Sequence, residues 1–192
     1  MLGGSTNQEC AVQDRRQTII DAGLATLREH GYSGFTQPRV ASRAGLRQSH
    51  LTYYFPTRVD LLAAVGRAAI DGQLAAVDAV LTGSSPEAVA RAIAGVAVRH
   101  ENTRVLMALA QAADQEPHLR DLFRELTDGI VLRAGRFLKS LDPAATEAGA
   151  RMLHALSVGL AVVDLATGRS DGERRTACIL ETALIMMSKN AK

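Results

Sequence analysis

The sequence predicts an all-α protein of about nine helices arranged in two unequal parts. Three observations carry this. Alanine and the aliphatic residues dominate an apolar fraction of 47%, while aromatics make up only 4% and Trp is absent, a composition that favours helix intrinsically. No stretch has the β-branched alternation of a strand. Glycine, proline and Ser/Thr/Asp capping signals cut the apolar periodicity into helix-length segments.

Residues 1–12, rich in Gly, Ser, Asn and Gln, are expected to form a disordered tail. From about Arg15 to His30, apolar positions at Ile19, Ile20, Leu24 and Leu27, with Gly23, follow the period of an amphipathic helix. Gly31 is placed to end it, and Tyr32 and Phe35 form a small apolar hinge. Thr36 is a cap for a second helix, with Pro38 in its first turn, where a missing N–H costs little. That helix runs to Ala44 and buries Val40, Ala41 and Ala44. Gly45 allows a tight turn that Leu46 plugs from beneath, and a third helix covers about Gln48–Tyr54 with Leu51 and Phe55 inward. Pro56 breaks it, and Thr57 to Asp60 reads as a capping box.

A long helix then spans Arg58 to about Val80, with Leu61, Leu62, Val65, Ala69 and Leu74 as its apolar stripe. Ser85-Pro86 caps a helix to about Arg99, and another covers about Glu101–Gln115 before Pro117. One more reaches Leu141. Asp142-Pro143 is expected to cap a helix to Thr167, and Ser170 to Glu173 a last one ending near Ser188. The organisation expected is a tail (1–12), a first domain (13–57) and a larger helical domain (58–192).

The net charge of +2 is unevenly spread. Residues 36–58 carry Arg39, Arg43, Arg47 and Arg58 with no Asp or Glu, and the remainder is near balance. A local basic face suggests a polyanion that docks at one place. Cys10 and Cys178 are too few for a disulfide framework or a metal site and are expected as a tail residue and a core filler. The N-terminus lacks the pattern of a signal peptide, and no run of about eighteen uncharged apolar residues appears. A cytoplasmic protein with no membrane partner is expected.

Ala41, Gly45 and Leu51 give the spacing of a helix-turn-helix: a small residue where two helices cross, a glycine turn, and an apolar residue in the second helix. Such units set the second helix in the DNA major groove with its N-terminal residues against base edges. Here that helix offers Arg47, Gln48, Ser49, His50, Thr52 and Tyr53. Arginine suits guanine O6/N7, glutamine suits adenine, and a threonine methyl can touch thymine. Thr36, Arg39, Tyr53 and Arg58 are better placed for phosphates, which set register rather than sequence choice.

This arrangement resembles the N-terminal domain of the TetR family of bacterial transcriptional repressors over about residues 15–65. The resemblance rests on Gly31-Tyr-Ser-Gly-Phe-Thr36, Val40-Ala-Ser-Arg-Ala-Gly-Leu46, and Leu51-Thr-Tyr-Tyr-Phe-Pro-Thr-Arg58 leading into Leu61-Leu62. The family's phosphate-binding tyrosine position is Thr52 here, its usual histidine is Tyr54 and its usual lysine is Arg58. The resemblance implies that residues beyond the head form a ligand-binding and dimerisation domain.

The last two helices carry wide apolar faces, with Met152, Leu153, Leu156, Leu160 and Val163 on one and Cys178, Leu180, Leu184 and Met187 on the other. Small residues between them suit a close helix pair that meets its twin in a four-helix bundle. Leu153, Leu156, Leu160, Val163, Leu180, Leu184 and Met187 are therefore the expected homodimer interface. His100, Arg104, Asp114, His118, Asp128, Arg133, His154 and Asp164 interrupt apolar helical segments. Burying such groups is costly without a partner, and Arg104, Met107, His154 and Asp164 are the candidate ligand contacts. No HExxH or Cys/His spacing points to a metal, no cofactor is implied, and no hydrolase, P-loop or dinucleotide motif points to an enzyme.

These features lead to a dimeric, ligand-responsive transcriptional regulator, a repressor of a palindromic operator released by a hydrophobic or amphipathic small molecule. The alternative is a small-molecule-binding or scaffold protein whose basic hairpin contacts another protein or an anionic surface.

Overall fold

The computed structural model describes residues 5–81, 85–117 and 119–189, with side chains from 14 to 187 within those spans. Nine helices make up the described residues: α1 (Ser5–Gly34), α2 (Gln37–Arg43), α3 (Gln48–Tyr54), α4 (Arg58–Leu81), α5 (Pro86–Ala97), α6 (His100–Gln115), α7 (Leu119–Leu141), α8 (Glu147–Thr167) and α9 (Gly172–Lys189). The fold is all-α, an N-terminal helix-turn-helix followed by a larger helical domain.

Most boundaries follow their sequence signals. α1 is broken at Gly31, whose φ of 62° only glycine adopts readily, so the helix axis changes where the apolar hinge of Tyr32 and Phe35 turns inward. Thr57 and Asp60 form a reciprocal cap at α4: the Asp60 amide donates to Thr57 Oγ1 at 3.0 Å and the Thr57 amide to Asp60 Oδ2 at 3.0 Å. Two ends differ. α1 begins at Ser5, so residues 5–12 of the expected tail are helical, while residues 1–4 lie outside the described residues. α8 begins after Thr146, whose Oγ1 accepts from the Gly149 amide at 3.2 Å. The Asp142 carboxylate instead accepts from the Ala144 amide at 2.9 Å and shapes a turn. Asp142-Pro143 scores as a cap by residue type, but a side chain that binds two residues on favours a turn over a helix start.

Two apolar clusters hold the molecule. The first joins Ile19 and Leu27 of α1, Phe35, Val40 and Leu51, and Leu61, Leu62 and Val65 of α4, all buried, and runs on into Val105, Leu109 and Ala112 of α6. The helix-turn-helix therefore shares its core with the larger domain. The second cluster packs α5, α7, α8 and α9 through Val89, Phe137, Leu153, Leu180 and Leu184. By length and composition α8 is apolar enough to cross a bilayer. Its side chains are divided between this cluster, a cavity and one outward face, and it carries a buried Asp164.

Close packing of α1 on α4 depends on Gly23, where a Cβ would stand 2.5 Å from Val65 Cγ2. Gly23→Ala is expected to lower stability by about 1–3 kcal/mol in urea unfolding, overpacking outweighing the helix-propensity gain of about 1 kcal/mol. The same substitution in a Val65→Ala background should cost clearly less, because the clashing methyl is gone.

Candidate nucleic-acid interface and cavity

The α2–turn–α3 unit is assembled from short local bonds. Thr36 Oγ1 accepts from the Arg39 amide at 3.4 Å, and Pro38 lies in the first turn. Gly45 takes a φ of 68°, and the Leu46 amide donates to the Ala41 carbonyl at 2.9 Å to close the turn. Ala41, Leu51 and Phe55 are buried beneath it. Gln37 Nε2 donates to the Phe55 carbonyl at 2.9 Å, pinning the end of α3 to the start of α2, a tie that nothing in the sequence pattern announces.

The four arginines divide by role. Arg43 is paired with the Glu29 carboxylate of α1, and this charge-assisted hydrogen bond holds the Glu29 pKa below its ordinary value. Arg58 lies with its guanidinium 4.3 Å over the Tyr32 ring. Its Nε donates to the Phe35 carbonyl at 2.8 Å, its Nη2 to the Tyr32 carbonyl at 3.0 Å and its Nη1 to the Tyr32 hydroxyl at 3.2 Å. These donors close the hinge after Gly31, a role that the charge pattern of the sequence does not announce, beside the phosphate contact expected of Arg58. Arg39 donates Nη1 to the Gly34 carbonyl at 2.8 Å while remaining exposed. Arg47 precedes α3 as an N-cap without a side-chain cap bond and is free to point outward.

Gln48, Ser49 and His50 are exposed with Arg47 at the start of α3. Tyr53 is 80% exposed, an unusual position for a tyrosine in a chain this poor in aromatics, and stands edge-on to Tyr54 with centroids 5.2 Å apart. Thr52 is half-buried and its hydroxyl donates back to the Ser49 carbonyl at 3.1 Å, which shortens its reach further. Arg15 of α1 joins Leu46, His50, Tyr53 and Tyr54 around a concavity of about 300 Å³ beside this face. Sequence periodicity put Arg15 at a helix start but could not show that it comes beside α3.

Below the head, α1, α4, α5, α6, α7 and α8 enclose a cavity of about 310 Å³, at the small end of the range for small-molecule sites. Leu24, Ile70, Val77, Leu106, Leu126 and Val158 contribute to its apolar wall. Arg28, Gln73, Asn102, Thr103, His154 and Ser157 are its polar members. Burial lowers the His154 pKa from its ordinary 6.5, which favours the neutral imidazole.

Of the expected ligand contacts, His154 alone lines this cavity. Arg104 and Met107 are exposed on the outer side of α6. Asp164 is buried elsewhere, with His100 Nε2 3.1 Å from its Oδ2 and Arg175 Nη2 3.6 Å from its Oδ1, which has an ion-pair neighbour but no hydrogen-bond partner. Among the other polar interruptions Asp114 and Asp128 are exposed, Arg133 pairs with Asp78 at 2.7 Å, and His118 lies outside the described residues. Arg28, Gln73 and Asn102 carry no sequence signal of this role. Arg28 and Asn102 lie near helix ends, where polar residues look like surface, and Gln73 lies mid-helix in α4 without standing out from a solvated face.

The expected dimer residues also separate. Leu153, Leu180 and Leu184 are 2%, 0% and 1% exposed within one chain and cannot face a second copy. Leu156, Leu160 and Met187 are half-buried, and Val163 is 53% exposed. Met152, Ile179 and Met186 are exposed on the same two helices, as is Cys178, which is not a core filler. A wide apolar stripe does not say which half packs inward.

Fold and site together define a helix-turn-helix regulator with an internal cavity, and comparison with known proteins gives its family. Residues 19–65 match the sequence profile described as bacterial regulatory proteins, tetR family. The chain is 31% identical over 154 residues to the HTH-type transcriptional regulator BetI of Burkholderia thailandensis, covering 76% of this chain and 79% of that protein. The crystal structure of a transcriptional regulator from Rhodococcus sp. Rha1 superposes with a TM-score of 0.80 at 23% identity, covering 91% of this chain and 96% of that one. The multidrug binding protein EbrR, complexed with proflavin, gives a TM-score of 0.63 at 28% identity over 88% of this chain and 99% of its own. The chain belongs to the TetR family of transcriptional regulators, a non-enzymatic family.

Two measurements check the site. Arg58→Ala is expected to lower unfolding stability by about 1.5–3 kcal/mol, because two carbonyls lose a charged donor. Arg58→Lys should recover only part of it, since an ammonium cannot span the three acceptors. His154 has its folded pKa below its unfolded one, so the unfolded chain takes up the proton first as pH falls. Its contribution is present above the unfolded pKa near 6.5 and is lost as pH drops through the folded value. Thermal midpoints measured across that interval should fall less for His154→Gln than for the unaltered chain.

Proposed function

We propose that this regulator is a homodimeric repressor that binds a palindromic operator and is released by a small-molecule effector in its cavity. α3 would enter the major groove, with Arg47, Gln48, Ser49 and His50 against base edges. Thr36, Arg39 and Tyr53, joined by Arg15, would hold phosphates, while Thr52 makes at most a close sugar or methyl contact. The observation that carries the reading is the exposed, acid-free opening of α3 with Tyr53 projecting beside it, on a head that shares α1 and α4 with the cavity.

Pairing would use the outward sides of α8 and α9, where Met152, Val163, Ile179 and Met186 leave apolar surface exposed and Leu156, Leu160 and Met187 form the margin. Two heads on a two-fold axis match half-sites one helical turn or a multiple apart. An effector acts only through different affinity for the operator-binding and released states. A hydrophobic or amphipathic ligand suits the apolar wall, and the structure of EbrR complexed with proflavin supports a small-molecule ligand for this fold. The protein would act in the cytoplasm, where its DNA is.

Footprinting and gel shifts on DNA upstream of its own gene test the reading. Specific, salt-sensitive protection of a palindrome is expected, and its absence from every upstream fragment would overturn it. Arg47→Ala should cost about 1–3 kcal/mol and relax preference at one base pair. Arg39→Ala should weaken all sequences alike and reduce the salt slope by about one.

A further inference from the structure

The cavity is chemically one-sided. Arg28 is the one charged side chain among its described lining residues, and no Asp or Glu lies among them. The Arg28 Nε–H is sealed from solvent and has no hydrogen-bond acceptor in the protein. A buried guanidinium N–H without an acceptor is costly, and native interiors rarely leave one. The hydroxyls of Ser157 and Thr103, which donate to the Leu153 carbonyl at 2.8 Å and the Ala97 carbonyl at 3.5 Å, keep free lone pairs but accept nothing from it.

We infer that the cavity selects an amphipathic monoanion, an apolar body carrying one carboxylate or similar anionic group, and that Arg28 holds that group. The inference deepens the ligand-released reading above and rests on it. A single cation in an apolar chamber suits a single anion, because a second negative charge would be buried unpaired. A cationic ligand would meet Arg28 with no carboxylate to offset it. The apolar wall takes the rest of the molecule, so an alkyl chain with an anionic end satisfies both surfaces.

The position of Arg28 gives the contact a consequence. Arg28 lies on α1, beside Glu29, which pairs with Arg43 of α2, and shortly before the break at Gly31. An anion drawn to Arg28 therefore acts on the helix that carries the head rather than only on the larger domain. The ligand-bound position of α1 would be the released state.

Calorimetric titration of the full chain with decanoate, decanol and decyltrimethylammonium tests this, alongside a separate operator gel shift. Decanoate should bind roughly ten- to a hundred-fold more tightly than decanol, the range of a charge-assisted hydrogen bond, with decyltrimethylammonium weakest. Arg28→Gln should bring decanoate down to decanol while leaving decanol unchanged. Arg28→Lys, which keeps the charge, should retain a preference for the anion, and decanol binding in both variants reports whether the cavity is intact. Decanoate alone should release operator. Equal binding of the three probes, a preference for the ammonium, no binding of any probe, or an anion preference that survives in Arg28→Gln overturns the inference. Operator binding that persists with any of those results leaves the regulator reading standing, whereas failure of operator binding removes that reading whatever the probes do.

Discussion

The Arg58 guanidinium is the contact on which the arrangement of the reading head depends. α1 must end, turn and hand the chain to α2, and the break at Gly31 leaves a corner where the Tyr32 carbonyl accepts from the Phe35 amide at 3.2 Å and the Arg58 guanidinium serves both the Tyr32 and Phe35 carbonyls. Arg58 reaches back from the first turn of α4 to both, and lies over the Tyr32 ring. A planar, permanently charged fork can serve several acceptors at fixed angles. With that corner closed, Phe35 and Leu51 are sealed in the core that α1, α2, α3 and α4 share, and the head has a defined attitude to α4.

That attitude matters because the head does not sit on an independent core. Its apolar cluster continues into α6, and the cavity is walled by α1 and α4 as well as by the larger domain. Under the proposed ligand response, a shift of α1 or α4 at the cavity would reach α2 and α3 through packed side chains, the Glu29–Arg43 ion pair and the Arg58 contacts. Close-packed elements of this kind move between discrete arrangements rather than deforming smoothly.

Much of the head was legible in the sequence. Ala41, Gly45 and Leu51 identify the crossing because each solves a steric problem that other residue types would not, and Thr57 with Asp60 announces its cap by spacing alone. The roles of the arginines were not legible. Arg47 and Arg58 look alike as charges, and only the fold brings Arg58 against two carbonyls from residues far earlier in the chain. In the larger domain, the apolar periods of α8 and α9 marked the helices but not which half of each stripe faces inward, so Leu180, expected at the interface, is buried while its neighbour Ile179 is exposed. Asp164 and Arg104 interrupt apolar segments equally well, yet one is buried with His100 and Arg175 and the other is exposed. Long-range ion pairing leaves no mark on local pattern.

A crystal structure of the protein on its operator would show how the basic block divides its labour. Arg47, Gln48, Ser49 and His50 should lie against base edges while Arg58 remains bonded to the Tyr32 and Phe35 carbonyls. An Arg58 side chain swung out onto a phosphate, with that corner left open, would contradict that division.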